Sequence, residues 1–246
     1  MTKDLVVEKS VQNEAIDNNS FALKVENLSK IYDSSAGRVV ALDNVSFAIK
    51  KGEFVSVVGP SGSGKSTVLN LVGALDRPTS GKIYIDGIDI FSLNDSEIAT
   101  MRNGRIGFIF QSFNLINRTT VQKNVKLPGV IAGMASDEVN SRAIKILEAL
   151  GIADKKNQKP VNLSGGQQQR VAIARSLVNN PTIILADEPT GNLDTKTGDD
   201  VFEMLKMLSH KFKRTIVMVT HNPELAESTD RSILLRDGRI EKDVFN

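Results

Sequence analysis

The sequence predicts an α/β fold with a mostly parallel sheet, an N-terminal antiparallel β subdomain and an inserted α-helical subdomain. Three observations lead to this prediction. Four short apolar runs are typical of strands buried on both faces, an alternating segment precedes them, and a stretch with helical periodicity separates the second run from the third. The same chain therefore combines half-buried strands, buried strands and amphipathic helices.

Composition and charge restrict the classes of protein to which the chain can belong. Its 246 residues are 40% hydrophobic and 24% charged, and 31 Lys and Arg against 29 Asp and Glu give a formal net charge of +2. This near-neutral balance offers no general electrostatic case for binding nucleic acid or an anionic membrane. The chain has no cysteine, which excludes disulfide scaffolds, zinc ribbons and thiol nucleophiles.

Neither a membrane span nor a signal peptide is evident. No apolar run approaches the roughly 18 to 20 residues that cross a bilayer. Residues 1–20 have acids throughout and few large apolar side chains, and they lack the basic start and long apolar run of a signal peptide. We therefore expect residues 1–20 to be a flexible leader, residues 21–246 to form the functional domain, and the protein to be cytoplasmic.

The predicted strands fall into two groups. Val45, Phe47 and Ile49 alternate with polar or small residues, which predicts a half-buried strand of the antiparallel subdomain. The four continuous apolar runs, which favour parallel strands, are Phe54–Val58, Ile106–Phe110, Ile183–Ala186 and Ile216–Val219. Each run ends in glycine or polar residues, and ligands bind at the carboxyl ends of strands in open α/β sheets. All four runs therefore point to one edge of the sheet.

Helical periodicity is strongest between the second and third apolar runs. Val139, Ala143, Leu147 and Leu150 recur there at the spacing of one helix face. We expect a helical subdomain inserted at about residues 112–175. Near the C-terminus, the step Asp237-Gly238 between two apolar segments predicts a β-hairpin.

A glycine-rich loop follows the first parallel strand. It reads Gly59-Pro60-Ser61-Gly62-Ser63-Gly64-Lys65-Ser66-Thr67, which fits G-x-x-x-x-G-K-[ST] between a strand and a helix. The glycines let backbone N–H groups face phosphate, Lys65 supplies charge to the β- and γ-phosphates, and Ser66 offers its hydroxyl to Mg²⁺. A chance glycine-rich loop is disfavoured by the flanking strand and helix. We therefore predict a P-loop NTPase (RecA-like) core that binds ATP and Mg²⁺.

Two acidic residues end the third parallel strand. A carboxylate at the end of a buried strand is costly without a partner, and Mg²⁺ beside the P-loop is such a partner. We therefore assign Asp187 to the metal and Glu188 to polarising the attacking water. Either acid alone could cap the following turn, but a pair beside a P-loop favours the catalytic interpretation.

A second predicted helix begins in a sequence suited to an anion. Ser164 offers a hydroxyl there, and Gly165 and Gly166 expose backbone N–H groups. By itself this segment could be a simple N-cap. The whole string from Leu163 to Gln167, LSGGQ, resembles the signature of the ATP-binding cassette (ABC) family, and the P-loop and the Asp187-Glu188 pair accompany it at suitable distances along the chain.

The resemblance covers the chain from about Phe21 to its end and implies further site residues. Tyr32 matches the aromatic that stacks on adenine, Gln111 the glutamine that reaches Mg²⁺ and the water, and His221 the histidine that contacts the γ-phosphate. The segment Gly191-Asn192-Leu193-Asp194 resembles the loop that crosses to a partner subunit, and Asp194 and Gln167 join the nucleotide-binding set. An edge tyrosine and a structural histidine are the alternatives for Tyr32 and His221.

The resemblance also implies an assembly. In this family the signature faces the phosphate that is bound by another subunit's P-loop. One P-loop and one signature in the same chain therefore imply a head-to-tail homodimer around two ATP molecules, which closes on binding and opens on hydrolysis. Such a motor would drive a separate integral-membrane permease subunit from the inner face of the cell membrane.

Two segments narrow the resemblance to a subgroup. Phe108–Leu115 and Gly191–Asp194 look like the ATPases of the lipoprotein-releasing, macrolide-exporter and FtsE-like group. That group implies export, lipoprotein release or mechanotransmission, with the substrate set by the membrane subunit. Residues 112–127 would be the docking surface for a cytoplasmic helix of that subunit, or else ordinary core of the inserted subdomain.

Three other functions are weighed against a transporter motor. An ABC-superfamily ATPase acting on DNA would need long coiled-coil arms, and none fits between Gln111 and Ser164. A ribosome-associated member would usually carry two cassettes, and this chain has one. A non-transport scaffold that binds ATP without turnover would normally lack the residues present here as Glu188 and His221. We therefore expect a transporter ATPase and no nucleic acid partner.

Overall fold

The computed structural model describes residues 20–34 and 37–246, so the predicted flexible leader lies outside the described residues except for Ser20. The strands are β1 (Phe21–Ser34), β2 (Gly37–Lys50), β3 (Phe54–Val58), β4 (Ser80–Ile85), β5 (Ile88–Asp89), β6 (Ile106–Phe110), β7 (Ile183–Asp187), β8 (Thr215–Val219), β9 (Arg231–Arg236) and β10 (Arg239–Phe245). The helices are α1 (Lys65–Val72), α2 (Asp95–Arg105), α3 (Val121–Ile131), α4 (Ser136–Ala149), α5 (Gly165–Leu177), α6 (Thr195–His210) and α7 (Pro223–Glu227).

The N-terminal sheet is antiparallel, with strand order β2-β1-β4-β5. Val45, Phe47 and Ile49 of β2 are buried, whereas Ser46 between them is exposed. The alternating pattern arises because one face of this sheet packs on the rest of the protein and the other meets water. The predicted antiparallel subdomain is therefore confirmed.

The larger sheet has strand order β10-β9-β3-β8-β7-β6. The four predicted parallel strands β3, β6, β7 and β8 are adjacent and parallel, which confirms them. β9 adds a fifth parallel strand beside β3, and β10 returns antiparallel to it. The predicted hairpin is present, with Asp237 and Gly238 at φ of 47° and 75°, the left-handed conformations that its tight turn requires.

Apolar layers cover both faces of the larger sheet. Val55 and Val57 of β3 pack with α1 and the antiparallel sheet, and Phe54 points to the opposite face. There its ring lies 5.7 Å, centroid to centroid, from that of Phe202 in α6. Burial on two faces is the reason that these strands read as continuous apolar runs.

The chain between β6 and β7 is largely helical. α3 packs on α4 and α5, and α5 also packs on β6. Val139, Ala143, Leu147 and Leu150 are all buried, as their helical spacing predicts. We propose residues 21–246 as the limits of the domain and about 112–175 as those of its inserted helical subdomain.

Arg231 connects β9 to its neighbouring strand β10 and to the antiparallel sheet. Its Nε and Nη2 donate to the two carboxylate oxygens of Asp243 in β10 at 2.6 Å each. Its Nη1 donates at 2.7 Å to the carbonyl oxygen of Ala48 in the antiparallel sheet. Because the side chain is only 11% exposed, a lost partner is not readily replaced by water.

We predict that Arg231→Met destabilises the protein by about 2–3 kcal/mol, because it leaves the carbonyl oxygen of Ala48 and the carboxylate of Glu53, whose side chain is 10% exposed, without their partner. The matched control is Arg236→Met, which removes an exposed ion pair with Glu241 and should cost about 1 kcal/mol or less. Urea unfolding followed by circular dichroism measures both. Equal losses in the two variants would contradict the role given to Arg231.

Candidate nucleotide-binding site

The glycine-rich loop passes so close to other backbone segments that two of its positions cannot carry a side chain. A Cβ at Gly59 would lie 2.1 Å from the carbonyl oxygen of Leu235, and one at Gly64 would lie 2.6 Å from that of Ala41. Both glycines also have positive φ, 150° and 102°. The loop is therefore held between β9 and β2, and α1 begins directly after it at Lys65.

A cavity of about 400 Å³ opens over this loop. Lys65 Nζ donates to the carbonyl oxygens of Gly59 and Pro60 at 2.8 Å each, which holds the ammonium against the loop. The lining residues come from the P-loop, from the ends of β7 and β8, and from β2, and they are Ala41, Ser61, Gly62, Gly64, Lys65, Ser66, Thr67, Asp187, Glu188, Val219 and His221. Ser63 is buried and does not line the cavity.

Three ionisable side chains at the strand ends, those of Asp187, Glu188 and His221, line the cavity together with Lys65. Burial raises the pKa of Asp187 and the adjacent Glu188 raises it further, while Lys65 lowers it in part. Glu188 has a left-handed backbone, φ 44°, and its Oε1 accepts a hydrogen bond from His221 Nδ1 at 2.9 Å. The Glu188 side chain is 17% exposed and that of His221 is 73% exposed. Two carboxylates therefore face one permanent cation.

The donors in this cavity fit Mg²⁺ that is bound together with phosphates. In the described part of the chain, no three His, Cys, Asp or Glu side chains form a metal-binding group. Mg²⁺ usually takes only one or two protein oxygens and completes its shell with water and substrate phosphates. Asp187 and Ser66, which line the same cavity, supply a carboxylate and a hydroxyl of that kind.

Gln111 lies outside the P-loop cavity. Its Nε2 donates to Asn192 Oδ1 at 3.2 Å, and Asn192 Nδ2 donates back to the carbonyl oxygen of Gln111 at 3.0 Å. A Cβ at Gly191 would lie 2.7 Å from Gln111 Nε2. The side chain thus packs on the loop 191–194 and does not line the P-loop cavity.

The signature segment has a cavity of its own. Ser164 caps α5: Gln167 N donates to Ser164 Oγ at 3.3 Å, and Ser164 N donates to Gln167 Oε1 at 3.0 Å. A cavity of about 480 Å³ touches Ser164, Gly166 and Gln167, and none of its lining residues belongs to the P-loop. A Cβ at Gly165 would lie 3.1 Å from Leu193 Cδ2. The structure therefore does not bring the signature to the P-loop within one chain.

Asp194 and Tyr32 occupy structural positions beside these cavities. Asp194 is the N-cap of α6, where its Oδ1 accepts from Thr197 N at 3.0 Å. Tyr32 lies on β1, is 38% exposed, and donates its hydroxyl to Asp76 Oδ2 at 2.9 Å. Neither residue lines a cavity described above.

Sequence reasoning missed Ala41 and Val219 of the cavity wall. Ala41 contributes its backbone carbonyl close to Gly64, and Val219 ends β8 as an ordinary buried strand residue. Neither residue type marks a binding site. Only the pairing of β2 with β1 and the position of β8 in the sheet could have identified them.

No helix in the described ranges is long and apolar enough to cross a membrane.

Comparison with known proteins identifies the family. The family model described as "ABC transporter" matches residues 42–191. An uncharacterized ABC transporter ATP-binding protein of Thermotoga maritima is 51% identical over 86% of this chain and 90% of its own length. The macrolide export ATP-binding/permease protein MacB of Brucella melitensis is 46% identical over 90% of this chain, which corresponds to 34% of MacB.

Solved structures agree with these matches. The dimeric post-hydrolysis structure of the ATP-binding cassette MJ0796, from Methanocaldococcus jannaschii and bound to ADP and Pi, has a TM-score of 0.82 and 47% identity. The similarity covers 91% of this chain and 98% of that one. The cassette fold predicted from the motifs is therefore confirmed. With its P-loop, strand-end acids and signature in this fold, the chain belongs to the ABC transporter ATP-binding subunits and is an ATPase.

Proposed function

We propose that this chain is the motor subunit of an ABC transporter, which dimerises head to tail around two ATP molecules and drives a separate membrane subunit. The observation that carries the proposal is the separation of the P-loop cavity from the signature cavity within one chain. A second copy, turned head to tail, would complete each ATP site with its own Ser164, Gly165, Gly166 and Gln167. The dimeric state of MJ0796 supports this arrangement.

The proposed catalytic roles follow from the cavity wall. Lys65 and the P-loop N–H groups would hold the β- and γ-phosphates, and Ser66 and Asp187 would hold Mg²⁺. Mg²⁺ would neutralise charge that develops on the phosphates. Glu188 accepts a proton from the attacking water, and His221, at 2.9 Å from that carboxylate, orients it and reaches the γ-phosphate. Gln111 would have to leave its contacts with Gly191 and Asn192 to reach the same water.

We also propose a permease partner, which would place the chain at the inner face of the cell membrane. A cavity of about 450 Å³ beside the inserted helices is partly apolar, with Leu75, Phe110 and Ile131 among its walls, and would receive a cytoplasmic helix of that subunit. Within the segment 112–127, Val121 and Val125 are fully buried and belong to the core. The exposed residues of this segment would therefore make the contacts with the membrane subunit. The MacB relatives favour export over lipoprotein release or mechanotransmission.

We predict that Glu188→Gln retains ATP binding but lowers turnover at least about 100-fold and accumulates an ATP-bound dimer, because the amide keeps the acceptor for His221 but cannot take a proton. Phosphate release and size-exclusion chromatography measure the two effects. Glu203→Gln, the same change at an exposed position of α6, is the control and should behave like the wild type. A near wild-type rate of hydrolysis by Glu188→Gln would show that Glu188 is not the base.

We predict that Lys65→Ala raises the dissociation constant for ATP about 10- to 100-fold, because it removes the only permanent cation among the described residues that line the P-loop cavity. Isothermal titration calorimetry measures the change. Lys82→Ala, at a β4 lysine whose side chain is 61% exposed, is the matched control. Wild-type affinity in Lys65→Ala would contradict the assignment.

We predict that the signature acts on the partner's nucleotide. Mixed dimers of a Ser164→Arg chain and a Lys65→Ala chain, each also carrying Glu188→Gln, should trap one ATP, because one composite site keeps both intact halves. Homodimers of either variant should trap none. Isolated mixed dimers without bound ATP would count against a composite site.

A further inference from the structure

The Tyr32 phenol belongs to a small polar cluster outside the P-loop cavity. Its hydroxyl donates to Asp76 Oδ2 at 2.9 Å. Lys30 Nζ donates at 2.8 Å to the other carboxylate oxygen of Asp76, and the same ammonium lies 4.7 Å from the centroid of the Tyr32 ring. The ring is therefore held at its hydroxyl by Asp76, with Thr67 of the P-loop as a further partner, and it is covered on one face by Lys30.

The anchor of this cluster is the segment that follows the P-loop helix. Leu75 N and Asp76 N both donate to the carbonyl oxygen of Asn70 in α1. Arg77 N donates to Asp76 Oδ1 at 2.7 Å, and Lys30 Nζ donates to the carbonyl oxygen of Arg77 at 2.7 Å. The carboxylate thus has a fixed position relative to the helix that begins at Lys65.

The ionisation states suit these hydrogen bonds. Burial raises the pKa of Tyr32 and Asp76 raises it further, while Thr67 and Lys30 lower it in part, so the phenol keeps its proton and donates. Burial acts against the charge on Asp76, but hydrogen bonds from Lys30 and Tyr32 outweigh it and lower the pKa of Asp76. The carboxylate is therefore charged and accepts from both partners at neutral pH.

This cluster is suited to fix the ring before a ligand binds. The Lys30–Asp76 pair is partly buried, with side chains 12% and 32% exposed, so water competes only weakly for the carboxylate. An aromatic platform for a ligand gains affinity from every rotamer that is excluded before binding. Tyr32 stays 38% exposed while its hydroxyl and one face are held, which leaves surface for a flat partner.

We propose that Asp76, assisted by Lys30, is a positioning residue that holds the Tyr32 ring in place for the base of the nucleotide. The inference rests on the proposed ATPase function and on the adenine-stacking role that the family resemblance implies for Tyr32. Asp76 acts only through Tyr32. Loss of Asp76 should therefore weaken the binding of nucleotides that carry a base and leave the binding of a bare polyphosphate unchanged.

The test is a double-mutant cycle on the full chain, with MgADP and inorganic tripolyphosphate as ligands in calorimetric titrations. Asp76→Asn and Tyr32→Phe should each weaken ADP binding by about three- to tenfold, and the double variant should be no weaker than the weaker single variant. Tripolyphosphate affinity should stay at the wild-type value in all three. Asp137→Asn, the same change at an exposed carboxylate in the first turn of α4, is the matched control.

Tyr32→Ala separates failure of this inference from failure of the proposed function. If Tyr32→Ala weakens ADP binding while Asp76→Asn and Tyr32→Phe do not, stacking stands and the positioning role of Asp76 is overturned. If Tyr32→Ala leaves ADP affinity unchanged, the stacking role fails and the inference fails with it. Equal losses of affinity for ADP and tripolyphosphate in Asp76→Asn would reveal a general disturbance of the P-loop. That result would also overturn the positioning role of Asp76.

Discussion

The arrangement of this protein depends on a backbone contact at which no side chain fits. The P-loop at Gly59 and Gly64 touches the carbonyl oxygens of Leu235 and Ala41, and Gly238 N donates to the carbonyl oxygen of Ser63 at 3.2 Å. A Cβ at Gly238 would itself lie 2.8 Å from the carbonyl oxygen of Ala41. The loop, the C-terminal hairpin and β2 are therefore fixed to one another, and this contact places the antiparallel sheet with Tyr32 beside α1.

The same rigidity keeps the P-loop and the signature apart within the chain. Residues at the carboxyl ends of β3, β7 and β8 converge because parallel strands end at one edge. The signature begins α5, and a Cβ at Gly166 would lie 2.3 Å from Thr197 Cγ2 at the start of α6. The signature is thus packed on the start of α6, and its cavity is separate from that of the P-loop. In the proposed dimer, a second copy completes both halves.

Local sequence patterns predicted most of the fold, because each depends on a short stretch of chain. The alternation in β2, the apolar runs of β3 and β6–β8 and the P-loop pattern each have a physical cause within a few residues. β9 was recognised only as half of a hairpin. Its burial alternates along Arg231–Arg236, so it lacks the continuous apolar run that identified the other parallel strands.

Side-chain placement was harder to predict than the fold, because it depends on which distant segments meet. Gln111 was assigned to magnesium from the family resemblance, but its side chain turns to Asn192, which is 81 residues further along the chain. Asp76 carries no motif, and its partners Lys30 and Tyr32 lie more than 40 residues before it. Asp187 and Glu188 could be predicted because strand direction alone delivers them to the loop.

The charges of the P-loop cavity bear on how the proposed ligands would enter it. Asp187 and Glu188 oppose Lys65, so in the described wall the carboxylates outnumber the permanent cation. A triphosphate alone would meet repulsion from both acids, and a divalent cation alone would keep water in most of its coordination shell. Burial disfavours charge on Asp187, so a bound cation stabilises that carboxylate more than it would stabilise an exposed one. Nucleotide and Mg²⁺ therefore belong together in the proposed mechanism, since each supplies the charge that makes this cavity favourable for the other.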